Sequence, residues 1–299
     1  MLAAAIQLTA GPDSGANFGA AVAAVREAAD RGAALVVLPE KWLAIGGAQE
    51  LRPVAEPIDG PLVERLRGLA EELGIDLVAG SISEGPGVAA AGGLRVVAGP
   101  GADGSPDERF FNTSLHLTPD GEIAAAYRKV HLFDADVAGR RYRESDAERH
   151  GREPVVSRLV RAPEFAIGMA ICFDLRFPDL FRTLASGGAN VITLPSAFTQ
   201  RTTRDHWEVL VRARAIELGA FVVAANQTGV HADGSRSGGQ SMIVDPWGRV
   251  LARADEDGAD IVFAELDLGA VATAREALPV LSLRQPEVYE RPVGDGLLG

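Results

Sequence analysis

Residues 165–194 read as strand, turn, helix and strand, and that order confines the chain to a narrow set of folds. An apolar run from Phe165 to Ile171 leads into Cys172, and Pro178-Asp179 opens an amphipathic stretch, Leu180 to Ala185, that stops at Gly187-Gly188. A second apolar run, Asn190 to Leu194, completes a β-α-β unit. Such units cross over right-handed and set their strands parallel. The strand-end turns then fall on one edge of the sheet, where open α/β folds place their sites. Cys172 is the one cysteine in 299 residues and stands on such a turn. A lone thiol is most often an inert buried hydrophobe, so its role depends on what accompanies it.

The alternation extends along the chain. Ala3 to Leu8 reads as a strand, residues 17–31 as a helix with Val22, Val25, Ala28 and Ala29 at core spacing, and Ala34 to Leu38 as a strand ending in Pro39-Glu40-Lys41. Pro61 opens a helix with Leu62, Leu66, Leu69 and Leu73 as its buried stripe; Gly74 stops it, and Asp76 to Ile82 returns as a strand. Phe110 to Leu117 and Glu122 to Arg128 form a hairpin around Thr118-Pro119-Asp120-Gly121, and the second strand runs into Lys129. Residues 139–152 are polar and arginine-rich and read as a solvated loop. Thr203 or Asp205 caps a helix carrying Trp207, Leu210, Val211, Ala215 and Leu218 on one face; Gly219 ends it before a strand from Phe221 to Ala225. Ser241–Asp245, Val250–Ala254 and Ile261–Leu266 read as a β-meander. Residues 85–108, rich in Gly, Ala and Pro, interrupt the rhythm as an insertion. Its Gly99-to-Gly104 segment spells a dinucleotide fingerprint, but no helix follows, so it is not read as one. No linker or repeat divides the chain. It is expected to be one domain over 1–299, with a core to about residue 270 and a C-terminal helix and tail over 271–299.

An apolar content of 47% suffices for a sizeable core, and a net charge of -12 argues against nucleic acid or an anionic membrane as partner. Met1 to Ala10 lacks a basic n-region and reads as strand rather than signal peptide, and no window reaches the roughly 18 apolar residues of a membrane helix. One cysteine makes no intrachain disulfide, in keeping with a cytoplasmic location; with five scattered histidines it also lacks zinc-ligand spacing, so no metal is expected. Of 29 basic side chains only Lys41 and Lys129 are lysine. A lysine kept against that bias offers a compact ammonium that arginine cannot.

Glu40, Lys129 and Cys172 thus share one context, the turn after an apolar strand. A carboxylate at hydrogen-bond distance can act as base for a thiol, and an ammonium with the Phe173 N–H can hold an oxyanion. Here the sequence resembles the nitrilase superfamily of carbon–nitrogen hydrolases, through Leu38-Pro39-Glu40-Lys41, Tyr127 to Asp134, and Ile171 to Pro178. Pro195 to Phe198, His206 to Leu210, Arg212 to Glu217 and Ser241 to Gly248 are similar to the branch of deaminated-glutathione amidases and omega-amidases. The resemblance implies an α/β fold, the four-layer αββα sandwich of the nitrilase type, with no cofactor or metal and a homodimer joined through helices. It implies a Glu40–Lys129–Cys172 triad, a supporting Glu144, an oxyanion contact from Phe173 N–H, and Thr202 at a substrate carboxylate; Arg176, four residues after Cys172, can reach the same carboxylate, the alternative being a structural pair with Asp174 or Asp179. The expected activity is hydrolysis of a primary amide of a small acidic compound, deaminated glutathione or a 2-oxo-dicarboxylate monoamide, to carboxylate and ammonia through a thioester. Nitriles and N-carbamoyl amino acids would use the same triad. A papain-like use of His131 or His206 lacks its local signature, and a non-catalytic scaffold predicts a thiol of ordinary reactivity. His131, His206, Arg212, Arg214 and Glu217 are expected to be structural. Two departures from the family pattern are the insertion and Gln240, where histidine is common.

Overall fold

Side-chain parity along the strands fixes the layers. In Leu2–Gln7, Ala3 and Ala5 share a core with Ile167, Val191, Phe221 and Val223, while Ala4 and Ile6 pack with Val25, Ala28, Leu66 and Leu69 of two helices. The strand Leu35–Val37 repeats this split, Leu35 and Val37 facing one way and Val36 the other. In Phe221–Asn226, Phe221, Val223 and Ala225 join the same central core, whereas Val222 and Ala224 pack with Phe181, Leu184, Val211 and Ala215. Two sheets therefore meet face to face, each covered outside by helices, because strands buried on both faces need apolar residues at every position. This is the four-layer αββα sandwich. The computed structural model describes residues 1–85 and 107–289. The insertion expected at 85–108 lies, but for its ends, outside them, as does the tail beyond 289.

The first sheet runs Asp260–Glu265, Leu2–Gln7, Leu35–Val37, Asp76–Val78, Phe110–Leu117 and Ile82–Glu84, with Ile123–Arg128 and Glu148–Arg149 also pairing Phe110–Leu117. The second runs Val155–Arg158, Ala166–Met169, Val191–Ser196, Phe221–Asn226, Met242–Val244 and Val250–Arg253. Parallel pairing of 2–7, 35–37 and 76–78, and of 166–169, 191–196 and 221–226, follows from the helical crossovers Ser14–Asp30, Pro61–Leu73, Pro178–Ser186 and Glu208–Leu218. One polar link crosses the central core: fully buried His116 places Nε2 2.9 Å from Asp76 Oδ1 in its own sheet and Nδ1 2.7 Å from Ser157 Oγ in the other. These are the residue types of a hydrolase triad, but all three are buried between the sheets, where they tie one sheet to the other.

Four local expectations are corrected. The strand read as Asp76 to Ile82 is two strands, broken at Gly80, whose φ of +62° suits glycine. The segment 139–152 is not a loop throughout: Asp134–Val137 pairs Arg140–Arg143 in a hairpin, and Glu148–Arg149 joins the first sheet. Thr199, not Thr203 or Asp205, caps the helical run by accepting from Thr202 N, and a π-helical turn, Thr203–Trp207, precedes Glu208–Leu218. The meander also breaks up. Met242–Val244 pairs Val250–Arg253 in the second sheet, but Asp260–Glu265 returns to the first, where Ile261 faces Ile6.

Candidate active site

Three strand ends converge. After Leu35–Val37 the chain turns at Pro39 past Gly80, where a Cβ would stand 2.1 Å from Pro39 O, so only glycine permits the approach that sets Glu40 inward. Glu40 is 2% exposed; its Oε1 accepts from Lys129 Nζ at 2.9 Å and Asn112 Nδ2 at 2.8 Å, and its carbonyl accepts from Gln227 Nε2. Lys129, fully buried at the end of Ile123–Arg128, also donates to Glu144 Oε2 at 2.8 Å and Oε1 at 3.1 Å. Glu144 is held from behind by Phe133 N at 2.7 Å. Cys172 starts the 3-10 turn Cys172–Arg176 beyond Ala166–Met169, with φ at +47°, a strained value for a non-glycine residue. Strain of this kind persists only where the surroundings enforce it. Here Asp174 does so: it accepts from Ile171 N and Tyr127 Oη through Oδ2, and from His131 N and Nδ1 through Oδ1. One carboxylate thus clasps the Cys172 turn to the segment carrying Lys129. Buried Arg214 fixes the far side by two donations to Leu175 O.

A cavity of about 860 Å³ opens onto Cys172, Glu40, Lys41, Glu144 and Glu148. Burial pushes the Cys172 thiol well above its usual range, and the nearby negative charge of Glu40 pushes the same way against Lys129 and the Ala197 amide. The resting site therefore holds a protonated thiol beside a carboxylate. Burial works against the Lys129 charge, but Glu144 and Glu40 outweigh it and hold the ammonium well above its usual range. Burial would likewise raise Glu144, yet Lys129, Lys41 and the Phe133 N–H lower its carboxyl to about 2.

The carbon–nitrogen hydrolase family matches over residues 2–276. The chain belongs to the carbon–nitrogen hydrolase family. A bovine (Bos taurus) deaminated glutathione amidase is 39% identical over 290 residues, which are 96% of this chain and 83% of that protein. Among solved structures, the Caenorhabditis elegans NitFhit protein superposes with a TM-score of 0.79 at 34% identity, covering 96% of this chain and 66% of that one. Saccharomyces cerevisiae Nit3, a member of branch 10 of the nitrilase superfamily, gives 0.78 at 28% identity, covering 96% of both chains. This carbon–nitrogen hydrolase is accordingly an amidase that acts on amides other than peptide bonds.

The hydrolase joins Glu40, Lys129 and Glu144 in one hydrogen-bonded cluster, and Cys172 lines the same cavity as Glu40 and Glu144. Phe173 N–H is the second amide of a 3-10 turn, where early N–H groups have no partner inside the turn. Arg176 does not pair with Asp174, whose oxygens are taken, nor with Asp179, which pairs with Arg182. It has no carboxylate among the described residues, lies over the Phe173 and Phe198 rings and contacts His206 Nδ1 at 3.3 Å. Thr202 is turned away: its hydroxyl bonds Thr199 at the helix start, and Thr199 lines the cavity instead. His131 serves Asp174 and stacks on Phe177, and Arg214 pairs with Glu217 at 2.7 Å, structural duties as expected. Sequence reasoning missed Asn112, Gln227 and Glu148. It also set Lys41 apart from the site, although Lys41 Nζ lies 3.0 Å from Glu144 Oε1 and 2.7 Å from Glu148 Oε1. The scarcity of lysine was the one signal that could have found it.

Proposed function

We propose that this hydrolase cleaves an amide of a small acidic compound by covalent catalysis, with deaminated glutathione, the substrate named for its relatives, as first candidate. Glu40 takes the Cys172 proton as sulfur attacks the amide carbon, forming the C–S bond. Lys129 and the Phe173 N–H hold the resulting oxyanion. Collapse breaks the C–N bond, and Glu40 returns its proton to the departing nitrogen. That nitrogen leaves as ammonia from a primary amide and as an amine from the amide of deaminated glutathione. Water then adds to the thioester, Glu40 taking its proton, and the C–S bond breaks to give the carboxylate and the thiol. Glu144 keeps Lys129 ionised and aimed, and Arg176 receives the substrate carboxylate. The whole chain works as one catalytic domain, in the cytoplasm, as a homodimer.

The observation that carries this reading is the Lys129 ammonium shared between Glu40 and Glu144 beside a protonated, buried Cys172. A thiol held protonated needs a base at the moment of attack, and Glu40 is the carboxylate whose charge acts on it most strongly. The test measures product release from deaminated glutathione, 2-oxoglutaramate, neutral amides, nitriles and N-carbamoyl amino acids, by wild type and Cys172→Ala. Turnover of the acidic amides alone, lost in the variant, is expected. Turnover that survives in Cys172→Ala refutes the covalent route, and preference for nitriles or carbamoyl compounds refutes the substrate class.

A further inference from the structure

Two buried charged groups in the cavity wall have no part in the steps above. Lys41 is 7% exposed, follows Glu40 directly, and holds φ at +49° while its amide is fixed by Ser81 Oγ at 3.1 Å. Glu148 has no exposed surface and stands on the two-residue strand that pairs Phe110–Leu117. The Lys41 ammonium sits between Glu144 and Glu148. Its contact with Glu148 is not aligned as a hydrogen bond, and both Glu148 oxygens remain without an aligned donor among the described residues.

We propose that Lys41 and Glu148 are positioning residues of the reaction: a second buried ion pair that holds Glu144 against Lys129 and thereby fixes the ammonium that meets the oxyanion. This rests on the roles given to Cys172 and Lys129 above. Glu144 Oε1 receives both ammonium groups, Lys41 at 3.0 Å and Lys129 at 3.1 Å, so its orientation depends on both. A buried ammonium with one carboxylate would draw Glu144 off Lys129; with Glu148 on its other side, Lys41 is shared and Glu144 stays centred. Counted with Glu40, the cluster holds three carboxylates and two ammonium groups, one negative charge in excess when all are ionised. Removing that excess requires one added proton. Burial, reinforced by Glu144 and opposed by Lys41 and Lys129, raises Glu148 to about 7. Those three groups are the charged neighbours that shift it, so Glu148 sets the charge of the site near neutrality. Breaking a buried pair by removing one partner is far costlier than removing both, because it strands an uncompensated charge.

The test uses the full chain with Lys41→Met, Glu148→Gln and the double variant. With 2-oxoglutaramate as probe, or whichever amide of the panel the wild type turns over fastest, Lys41→Met is expected to lower kcat about 10- to 100-fold with little change in KM, the size of a misplaced catalytic group. The double variant should recover about tenfold of that loss. A kcat within about threefold of wild type in Lys41→Met, or a double variant as poor as the product of the singles, overturns the proposal. A second measurement needs no substrate. Iodoacetamide alkylates the single cysteine, and its rate against pH should carry an inflection near 7 in the wild type that Glu148→Gln abolishes. An inflection kept in Glu148→Gln overturns the proposal even if Lys41→Met fails to fold. Cys172→Ala, run beside these, separates the two readings, since residual hydrolysis there refutes the covalent route and leaves the alkylation profile to judge the ion pair.

Discussion

Asp174→Asn isolates the clasp between the Cys172 turn and the Lys129 segment. The carboxylate takes four donors, Ile171 N at 2.9 Å and Tyr127 Oη at 2.7 Å on one oxygen, His131 N at 3.0 Å and Nδ1 at 2.7 Å on the other. Asparagine keeps the shape and replaces one oxygen by NH₂. Whichever way it flips, the NH₂ meets one group that can become an acceptor, the Tyr127 hydroxyl or the His131 imidazole, and one backbone N–H that cannot. One buried backbone donor is therefore orphaned, costing about 1–3 kcal/mol. At about 2–4 °C of Tm per kcal/mol, the melting temperature should fall by several degrees. The same orphan lies in the backbone just before Cys172 or two residues after Lys129, so the reacting groups shift. A displacement near 1 Å costs about 100-fold in rate. Circular dichroism melting and steady-state amide hydrolysis read the two effects. A variant that melts within about 1 °C of wild type and keeps its kcat refutes the clasp.

Lys129→Arg should lose about 10²- to 10³-fold in kcat although the charge remains, because a planar guanidinium does not fit the fully buried space between Glu40 and Glu144; initial rates check this. Arg176→Ala should raise KM for acidic amides and leave a neutral amide of similar size nearly unchanged, since this guanidinium has no carboxylate partner among the described residues; an equal loss on both would assign it to the turn instead. Stability should fall as pH rises from about 4.5 to about 7, because in that window native Glu148 keeps a proton that the unfolded chain has lost. Glu148→Gln should flatten that slope in urea titrations at several pH values. Glu144 acts oppositely and lower, adding stability above about 4.5 that is lost as pH falls toward about 2.

The layers and the converging strand ends were legible because apolar periodicity and glycine stops report local structure directly: Gly74 and Gly219 close their helices at φ +64° and +52°, as their positions foretell. What stayed hidden depends on partners far away in sequence. Arg140–Arg143 is polar on both faces, so nothing in its pattern separates a two-stranded hairpin from a solvated loop. Glu148 reads as one more surface acid until the fold brings Lys41 to it. Asn112 looks like any polar residue in a strand, yet it holds Glu40. Strand Asp260–Glu265 follows Val250–Arg253 closely enough to suggest a hairpin, and only the open edge of Leu2–Gln7 draws it to the other sheet.

That last pairing governs when the enzyme can assemble. Leu2–Gln7 is synthesised well before Asp260–Glu265, the strand that among the described residues covers its free edge, residue for residue from Leu2 opposite Glu265 to Gln7 opposite Asp260. Until residue 265 has emerged, the nascent first sheet presents unpaired amides beside Ala4 and Ile6, the kind of edge that templates association with other chains. So long a loop closure makes the final docking slow as well as late. Gln7 adds a latch, donating to Asp255 O and Gly258 O just ahead of the returning strand. Translation speed and chaperone supply up to the emergence of residue 265, rather than anything near Cys172, should therefore set the yield of folded enzyme.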